Sequence, residues 1–270
     1  MYKTIQDTAV PALGFGTYEL KGDKCRRSVT TAIETGYRHI DTARAYDNED
    51  GVGAALLESG VPRDEIFLTS KVWFEDLNFE PLMREIDASL RALRTDFLDL
   101  ALVHWPNEEV PLEETFRALN RLQEEKVIRH FGVSNFTPKW LARALELGKV
   151  FCNQVEYHPL LRQRRLHQMA LEHDLLLTAY APLAQGSLHD NEVLLKIARR
   201  HDATAEQISL AWLLEQPNVA AIPRSGSPEH IRSNFQALEI RLDDEDRRQI
   251  DELPGECRQI DPDFAPAWDE

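Results

Sequence analysis

The chain is short of several things, and each shortage excludes something. Its 270 residues contain only three cysteines, Cys25, Cys152 and Cys257, far apart in sequence. That spacing suits neither a disulfide framework nor a zinc knuckle, so the expectation is a reduced, cytoplasmic protein. No apolar run approaches the ~18 residues a membrane helix needs. The start, Met1-Tyr2-Lys3-Thr4, has no charged region followed by an apolar one, which argues against a signal peptide. Positive charge is also scarce: 31 Lys and Arg face 46 Asp and Glu, for a net charge of −15. Such a balance argues against nucleic acid or an anionic membrane as partner. Arginine outnumbers lysine 23 to 8, a bias that genomic base composition or salt adaptation would each give. Glycine (12) and proline (14) are scattered, with no low-complexity stretch that would mark a linker. One domain spanning 1–270 is therefore expected, a length usual for an α/β barrel.

What the chain has is strand alternating with helix. Leu13–Gly16 reads as a first strand, and seven further short apolar runs each stop at a polar residue. Ile40 runs into Asp41, Ile66–Thr69 into Ser70 and Lys71, and Phe97–Val103 into His104. Val127–Val133 stops at Ser134 and Asn135, and Val150–Asn153 at Gln154. Leu175–Ala179 ends at Tyr180, and Val219–Pro223 at Arg224 and Ser225. Helical spacing lies between them: Cys25, Val29, Ala32 and Ile33, closed by Gly36; a helix begun by Asn48; Leu82, Ile86, Leu90 and Leu93; Phe116, Leu119 and Leu122. Thr137-Pro138 has the form of a cap with proline at the first helical position. Leu166 to Ala170 and Val193 to Ala198 mark further faces. Thr204 and Gln207 have capping-box spacing, Ser227-Pro228 opens the last barrel helix, and Asp243–Leu253 reads as an extra helix outside it.

Functional side chains placed where strands stop are the signature of a closed (β/α)8 barrel, whose site is built at the carboxyl ends of its strands. A doubly wound open sheet is the alternative, but it usually carries a glycine-rich turn after the first strand. Gly14-Phe15-Gly16-Thr17-Tyr18-Glu19 lacks the third glycine.

In a barrel Asp41, Lys71 and His104 stand on neighbouring strands, with Tyr46 in the loop after the second. An ordinary phenol, with a pKa near ~10, gives up its proton poorly at neutral pH. A nearby ammonium stabilises the phenolate and is expected to lower that value, while a carboxylate keeps the ammonium charged and in place. The phenol is then a proton donor for a carbonyl oxygen, and a neutral histidine can orient that oxygen. Singly, Asp41 reads equally well as a cap, Tyr46 as a half-buried aromatic, Lys71 as a surface residue and His104 as a core histidine. Four such residues at three adjacent strand ends favour chemistry.

These residues sit in segments that resemble the aldo-keto reductase family. The segments are Leu13–Thr17, Gly36–Ala43, Tyr46–Glu49, Thr69–Trp73, Val103–Pro106, Gly132–Phe136, Asn153–Pro159 and Ile222–Ser225, in order over residues 13–234. The likeness is greatest to the short prokaryotic branch that reduces small aldehydes, keto acids and diketo-sugar acids. The resemblance implies a (β/α)8 barrel with one extra C-terminal helix, a C-terminal loop over the site, and NADPH bound without a Rossmann domain. It makes Tyr46 the general acid, tuned by Lys71 and Asp41, with His104 orienting the carbonyl. Ser134, Asn135 and Gln154 would hold the nicotinamide carboxamide and Tyr180 would stack on its ring. Thr17 and the stretch Ala181–Leu188, including Pro182, Leu183 and Gly186, would line the rest of the cofactor. Arg224 and Ser225, at a helix N-terminus, would take the adenosine phosphate together with Asn234. The family's usual arginine falls at His230 and its usual glutamate at Ser233. A histidine is a weaker phosphate partner, so NADPH is expected with reduced discrimination against NADH. Tyr18, Trp73, Trp105 and the tail residues Phe264 and Trp268 would make a narrow aromatic pocket for a small carbonyl substrate, in a protein acting as a monomer.

Other readings remain open. Lys71 would serve a Schiff-base aldolase, which needs a near-neutral lysine in an apolar site, a state Asp41 opposes. A non-catalytic nicotinamide-binding regulatory subunit would keep the cofactor residues and lose only turnover. A metal hydrolase is disfavoured because His39, His104 and His158 have no partner at ligand spacing.

Overall fold

The computed structural model describes residues 1–269. The chain opens with a hairpin, β1 (Tyr2–Ile5) and β2 (Thr8–Pro11), paired antiparallel. Eight strands then form one parallel sheet: β3 (Phe15–Gly16), β4 (His39–Asp41), β5 (Phe67–Val72), β6 (Leu98–Val103), β7 (Ile128–Ser134), β8 (Cys152–Glu156), β9 (Leu176–Tyr180) and β10 (Val219–Ala221). The order in the sheet is the order in the chain. Its two ends meet. Gly14 N–H donates to Ala221 O at 2.8 Å, Ala221 N–H to Ala12 O at 2.9 Å and Gly16 N–H to Pro223 O at 3.1 Å. A side chain at Gly16 would block this closure, since a Cβ there would lie 2.8 Å from Ile222 O. The (β/α)8 architecture read from the sequence is the one observed.

The helices are α1 (Gly22–Thr35), α2 (Glu49–Glu58), α3 (Phe79–Leu93), α4 (Leu112–Glu124), α5 (Pro138–Leu147), α6 (Arg164–Glu172), α7 (Glu192–Arg200), α8 (Ala205–Glu215), α9 (Pro228–Gln236) and α10 (Asp244–Asp251). Two of them, α7 and α8, lie between β9 and β10, and α10 is the extra helix beyond the barrel. Their apolar faces pack on the outer side of the sheet. Val29, Ala32 and Ile33 of α1, Leu82 and Ile86 of α3, and Phe116 and Leu119 of α4 share one core with Ile40, Leu68, Ala101 and Val133 of the strands. Inside the barrel a second cluster joins Ile5 and Val10 of the hairpin to Phe67, Leu100, Leu102, Phe151, Cys152, Leu176 and Ala220. The hairpin therefore lies across the amino-terminal ends of the strands.

The cap signals had mixed outcomes. Thr204 and Gln207 form the reciprocal capping box, and Gly36 closes α1 in the left-handed region at φ 119°. Thr137 stands at the N-cap position of α5, but its side chain makes no cap hydrogen bond. Asn48 precedes α2 and likewise caps nothing. Its amide instead donates to Thr17 O and Leu20 O, both at 2.8 Å, and its Oδ1 accepts from Thr42 Oγ1 at 2.8 Å. Asn48 thus ties the loop after β3 to the loop after β4, which carries Tyr46.

Candidate active site

Asp41 ends β4 and Lys71 stands one residue before the end of β5, so the parallel register brings the two side chains together at one rim of the barrel. Lys71 Nζ is 2.5 Å from Asp41 Oδ1, donates to Thr42 O at 2.9 Å and lies 3.4 Å from Tyr46 Oη. Both members of the ion pair are buried, with side chains 0% and 2% exposed. A buried pair needs its remaining valences filled. Gln154 does this from β8, its amide donating to Asp41 Oδ2 at 2.7 Å. Tyr46 comes from a short 3-10 turn, Arg44–Tyr46, and is half-buried. Its ring packs edge-on against His104 at 5.5 Å and Tyr18 at 5.1 Å. All four residues proposed from the sequence for catalysis therefore meet at one place.

The electrostatics differ from expectation at Tyr46. Burial, with Asp41 next, pushes the phenol well above its ordinary value rather than below it. Burial also lowers the Lys71 ammonium, an effect that Asp41 opposes. The phenol is thus held protonated at neutral pH. His104 is pushed well below the usual histidine value, first by burial and then by Lys71, so its ring is neutral. Among the described residues its buried Nδ1 has no hydrogen-bond partner.

A second group of polar side chains continues from this one. Ser134, the last residue of β7, donates to Gln154 O at 2.9 Å. Asn135 Nδ2 donates to His104 O at 3.0 Å and to Ser134 Oγ at 3.2 Å, and Asn135 Oδ1 accepts from Tyr180 Oη at 2.6 Å. Asn135 has a positive φ of 61°, which an asparagine tolerates. Tyr46, Lys71, Asp41, Gln154, Ser134, Asn135 and Tyr180 thus form one polar chain across five strands or the loops beyond them. Amide and hydroxyl groups in this arrangement fit a planar carboxamide, and the Tyr180 ring fits the face of a planar heterocycle.

The remaining expected cofactor residues are spread along the adjoining rim. Thr17 is buried, and its hydroxyl donates to Asp41 O at 3.1 Å, so it fixes the strand end instead of facing outward. Pro182 is buried, Leu183 partly so and Gly186 exposed, in a loop where Ala181, Ala184, Gln185 and Gly186 all have positive φ. Arg224 is exposed and pairs with Glu19, a partner that sequence reasoning did not supply. Ser225 accepts from Ser227 N–H at 3.1 Å. His230 is exposed on α9, and Asn234 on the same helix is buried.

The aromatic pocket residues also converge. Trp73 lies edge-on to His104 at 5.1 Å. Phe264 from the tail is ringed by Trp73 at 5.5 Å, Phe74 at 4.9 Å and Trp105 at 5.3 Å. Trp268 lies 6.3 Å from Trp105. Phe74 had no sequence signal beyond being aromatic, and the place of Phe264 depends on the path of the tail. Among the described residues, no group of three or more His, Cys, Asp or Glu could hold a metal, and no helix is long and apolar enough to cross a membrane.

The sequence and the fold match known proteins. The model of the aldo/keto reductase family matches residues 12–254. Methylglyoxal reductase DkgB of Escherichia coli O157:H7 is 42% identical over 267 residues, covering 97% of this chain and all of that protein. Glyoxal reductase of Bacillus subtilis is 41% identical over 247 residues, covering 90% of this chain and 89% of that protein. A crystal structure described as a putative 2,5-diketo-D-gluconic acid reductase B superposes with a TM-score of 0.96 at 37% identity, covering 100% of this chain and 97% of that one.

Proposed function

From the premise that this chain belongs to the aldo/keto reductase family and is an oxidoreductase, we propose that it reduces small aldehydes and α-dicarbonyls to alcohols with NADPH. The observation that carries the reading is the continuous polar chain from the Tyr46 hydroxyl to Tyr180, which joins an acid group to a carboxamide-binding group. The nicotinamide would supply a hydride to the carbonyl carbon. The protein's own part is the proton and the orientation. Tyr46, held protonated by its surroundings, donates its hydroxyl proton to the carbonyl oxygen as charge develops there. Lys71, 3.4 Å away, stabilises the phenolate left behind, and Asp41 keeps the ammonium charged and fixed. A neutral His104 beside Tyr46 can donate one hydrogen bond to the same oxygen without competing for the proton. Trp73, Trp105 and Phe264 wall the space beside it, which favours short substrates.

Ser134, Asn135, Gln154 and Tyr180 would hold the nicotinamide end. Arg224, Ser225 and the N-terminus of α9 would hold the phosphate end. Glu19 neutralises part of Arg224 and His230 stands in the place of an arginine, so NADH is a weaker second cofactor rather than an excluded one. We place the protein in the cytoplasm as a monomer. What supports the compartment is that all three cysteines are free thiols.

The test is Tyr46→Phe. Turnover with methylglyoxal and NADPH should fall about 10²- to 10⁴-fold, the range a positioned general acid supplies. Binding of NADPH, followed by tryptophan fluorescence, should persist. Near-normal turnover in that variant rejects Tyr46 as the donor, and absence of NADPH binding in the wild type rejects the cofactor assignment.

A further inference from the structure

Glu156, the last residue of β8, has a fully buried carboxylate at the same rim and takes no part in the chemistry above. A buried charge is costly unless its hydrogen-bonding capacity is filled. Here it is filled from the far end of the chain. Glu156 Oε1 accepts the Gln259 N–H at 2.7 Å and Oε2 accepts the Ile260 N–H at 2.9 Å. His158 Nε2 lies 2.9 Å from Oε1, and the Arg258 guanidinium lies 4.0 Å from Oε2. A carboxylate only accepts, so His158 carries its proton on Nε2.

The tail reaches this carboxylate along a fixed track. Arg162 N–H donates to Gly255 O at 3.1 Å and Cys257 N–H to Leu160 O at 2.7 Å, forming a short antiparallel bridge between Leu161 and Glu256. Beyond Glu156 the tail turns over the rim. Arg258 spans both regions: its guanidinium neighbours the carboxylate and also lies 3.6 Å from the centre of the Trp268 ring. Trp268 Nε1 donates to Asp261 Oδ1 at 2.8 Å, which pins the turn. The result is Phe264 packed on Trp73 and Trp105 beside His104.

We propose that Glu156 is a positioning residue for substrate selection: its buried carboxylate clamps the backbone of residues 259 and 260 and thereby holds Phe264 in the substrate wall. The inference rests on the carbonyl-reductase reading for its substrate readout, but the clamp can be measured without turnover. In Glu156→Gln the side-chain NH2 faces one of the two backbone donors, so one bond becomes a donor–donor clash. Gln259→Pro removes one of the same bonds from the tail side, outside the barrel, and keeps the test open if the first variant fails to fold.

Amide hydrogen exchange should accelerate about tenfold or more across residues 258–268 in both variants while the barrel strands stay protected. With 4-nitrobenzaldehyde, KM should rise about tenfold as the aromatic contact is lost, while kcat with methylglyoxal stays within about twofold. Phe264→Ala should reproduce the KM change with the amides of residues 259 and 260 still protected. Unchanged tail exchange in both clamp variants overturns the proposal. So does a loosened tail with an unchanged KM for 4-nitrobenzaldehyde. A wild type that turns over neither aldehyde rejects the proposed reaction, while the exchange data still decide whether Glu156 holds the tail.

Discussion

Asp99 at the amino-terminal end of the barrel and Asp41 at the carboxyl rim are each buried against cations, and the two ends use them differently. At the amino-terminal end Asp99 is satisfied on every side. Its Oδ2 accepts from Arg63 at 2.8 Å and from Leu68 N–H at 3.0 Å, and its Oδ1 accepts from Arg129 at 2.8 Å. Both guanidinium groups also stack on the Phe97 ring, at 4.1 and 4.2 Å. The hairpin β1–β2 covers this end, with His39 Nδ1 3.2 Å from Pro11 O and Thr8 Oγ1 3.1 Å from His130 Nε2. At the carboxyl rim the Asp41–Lys71 pair is more deeply buried, but its last contact is a long one, 3.4 Å to a hydroxyl, and the neighbouring His104 Nδ1 has no partner among the described residues. A site that must exchange protons keeps groups incompletely satisfied; an end that only closes the barrel does not. The difference is between a polar network built for stability and one that leaves a proton movable.

The comparison can be broken by exchanging its parts. The largest effect belongs to Lys71→Met. Turnover should fall about 10³-fold, and the stranded Asp41 should cost about 3–5 kcal/mol of stability by urea unfolding. Asp99→Asn should cost about 3 kcal/mol, the low end because Arg129 is half exposed, with kcat/KM unchanged within about twofold. Loss of turnover at unchanged stability in that variant would erase the distinction between the ends.

Acid should act on both ends through buried neutral histidines. Burial lowers His39 at the closed end and, more strongly, His104 at the rim. Each folded ring binds a proton less readily than the unfolded one. The unfolded state therefore gains protons first, and stability falls as pH drops below about 6.5, toward the folded values, with no loss above it. The slope is at most about 1.4 kcal/mol per pH unit for each ring. Urea midpoints at pH 7.5 and 5.5 should converge in His39→Gln by the closed end's share; identical acid sensitivity in that variant would remove His39 from the account. Smallest is Thr8→Val, which breaks one hydrogen bond to His130 and should cost about 1 kcal/mol with no change in turnover.

Legibility in the sequence followed the range of each interaction. The capping box at Thr204 was visible because its two residues are three apart and meet through one helical turn. The strand ends were visible because each short apolar run stops at a polar residue within a few positions. The hairpin was not visible. Its two-residue loop, Gln6 and Asp7, adopts positive φ at both positions, 47° and 64°, without the Asn-Gly signal that usually marks such a turn. The direction of the Tyr46 shift is opposite to the one expected, because burial and the neighbouring Asp41 both raise it and no local pattern reports burial at a loop residue. Thr17 and Gln154, expected to hold the cofactor, also bond Asp41, a link between strands that no local pattern reports.

By itself the sequence determined the order of strands and helices, the polar residues that end the strands, and the family those segments belong to. Each of these depends on periodicity or on neighbours within a few positions. Only the tertiary structure decided that Gln154 joins the Asp41–Lys71–Tyr46 cluster, that Arg224 faces Glu19, and that the tail segment carrying Phe264 and Trp268 is tied to Glu156. Those contacts join residues brought together by the closed barrel and the path of the tail, and closure is a property of all eight strands at once.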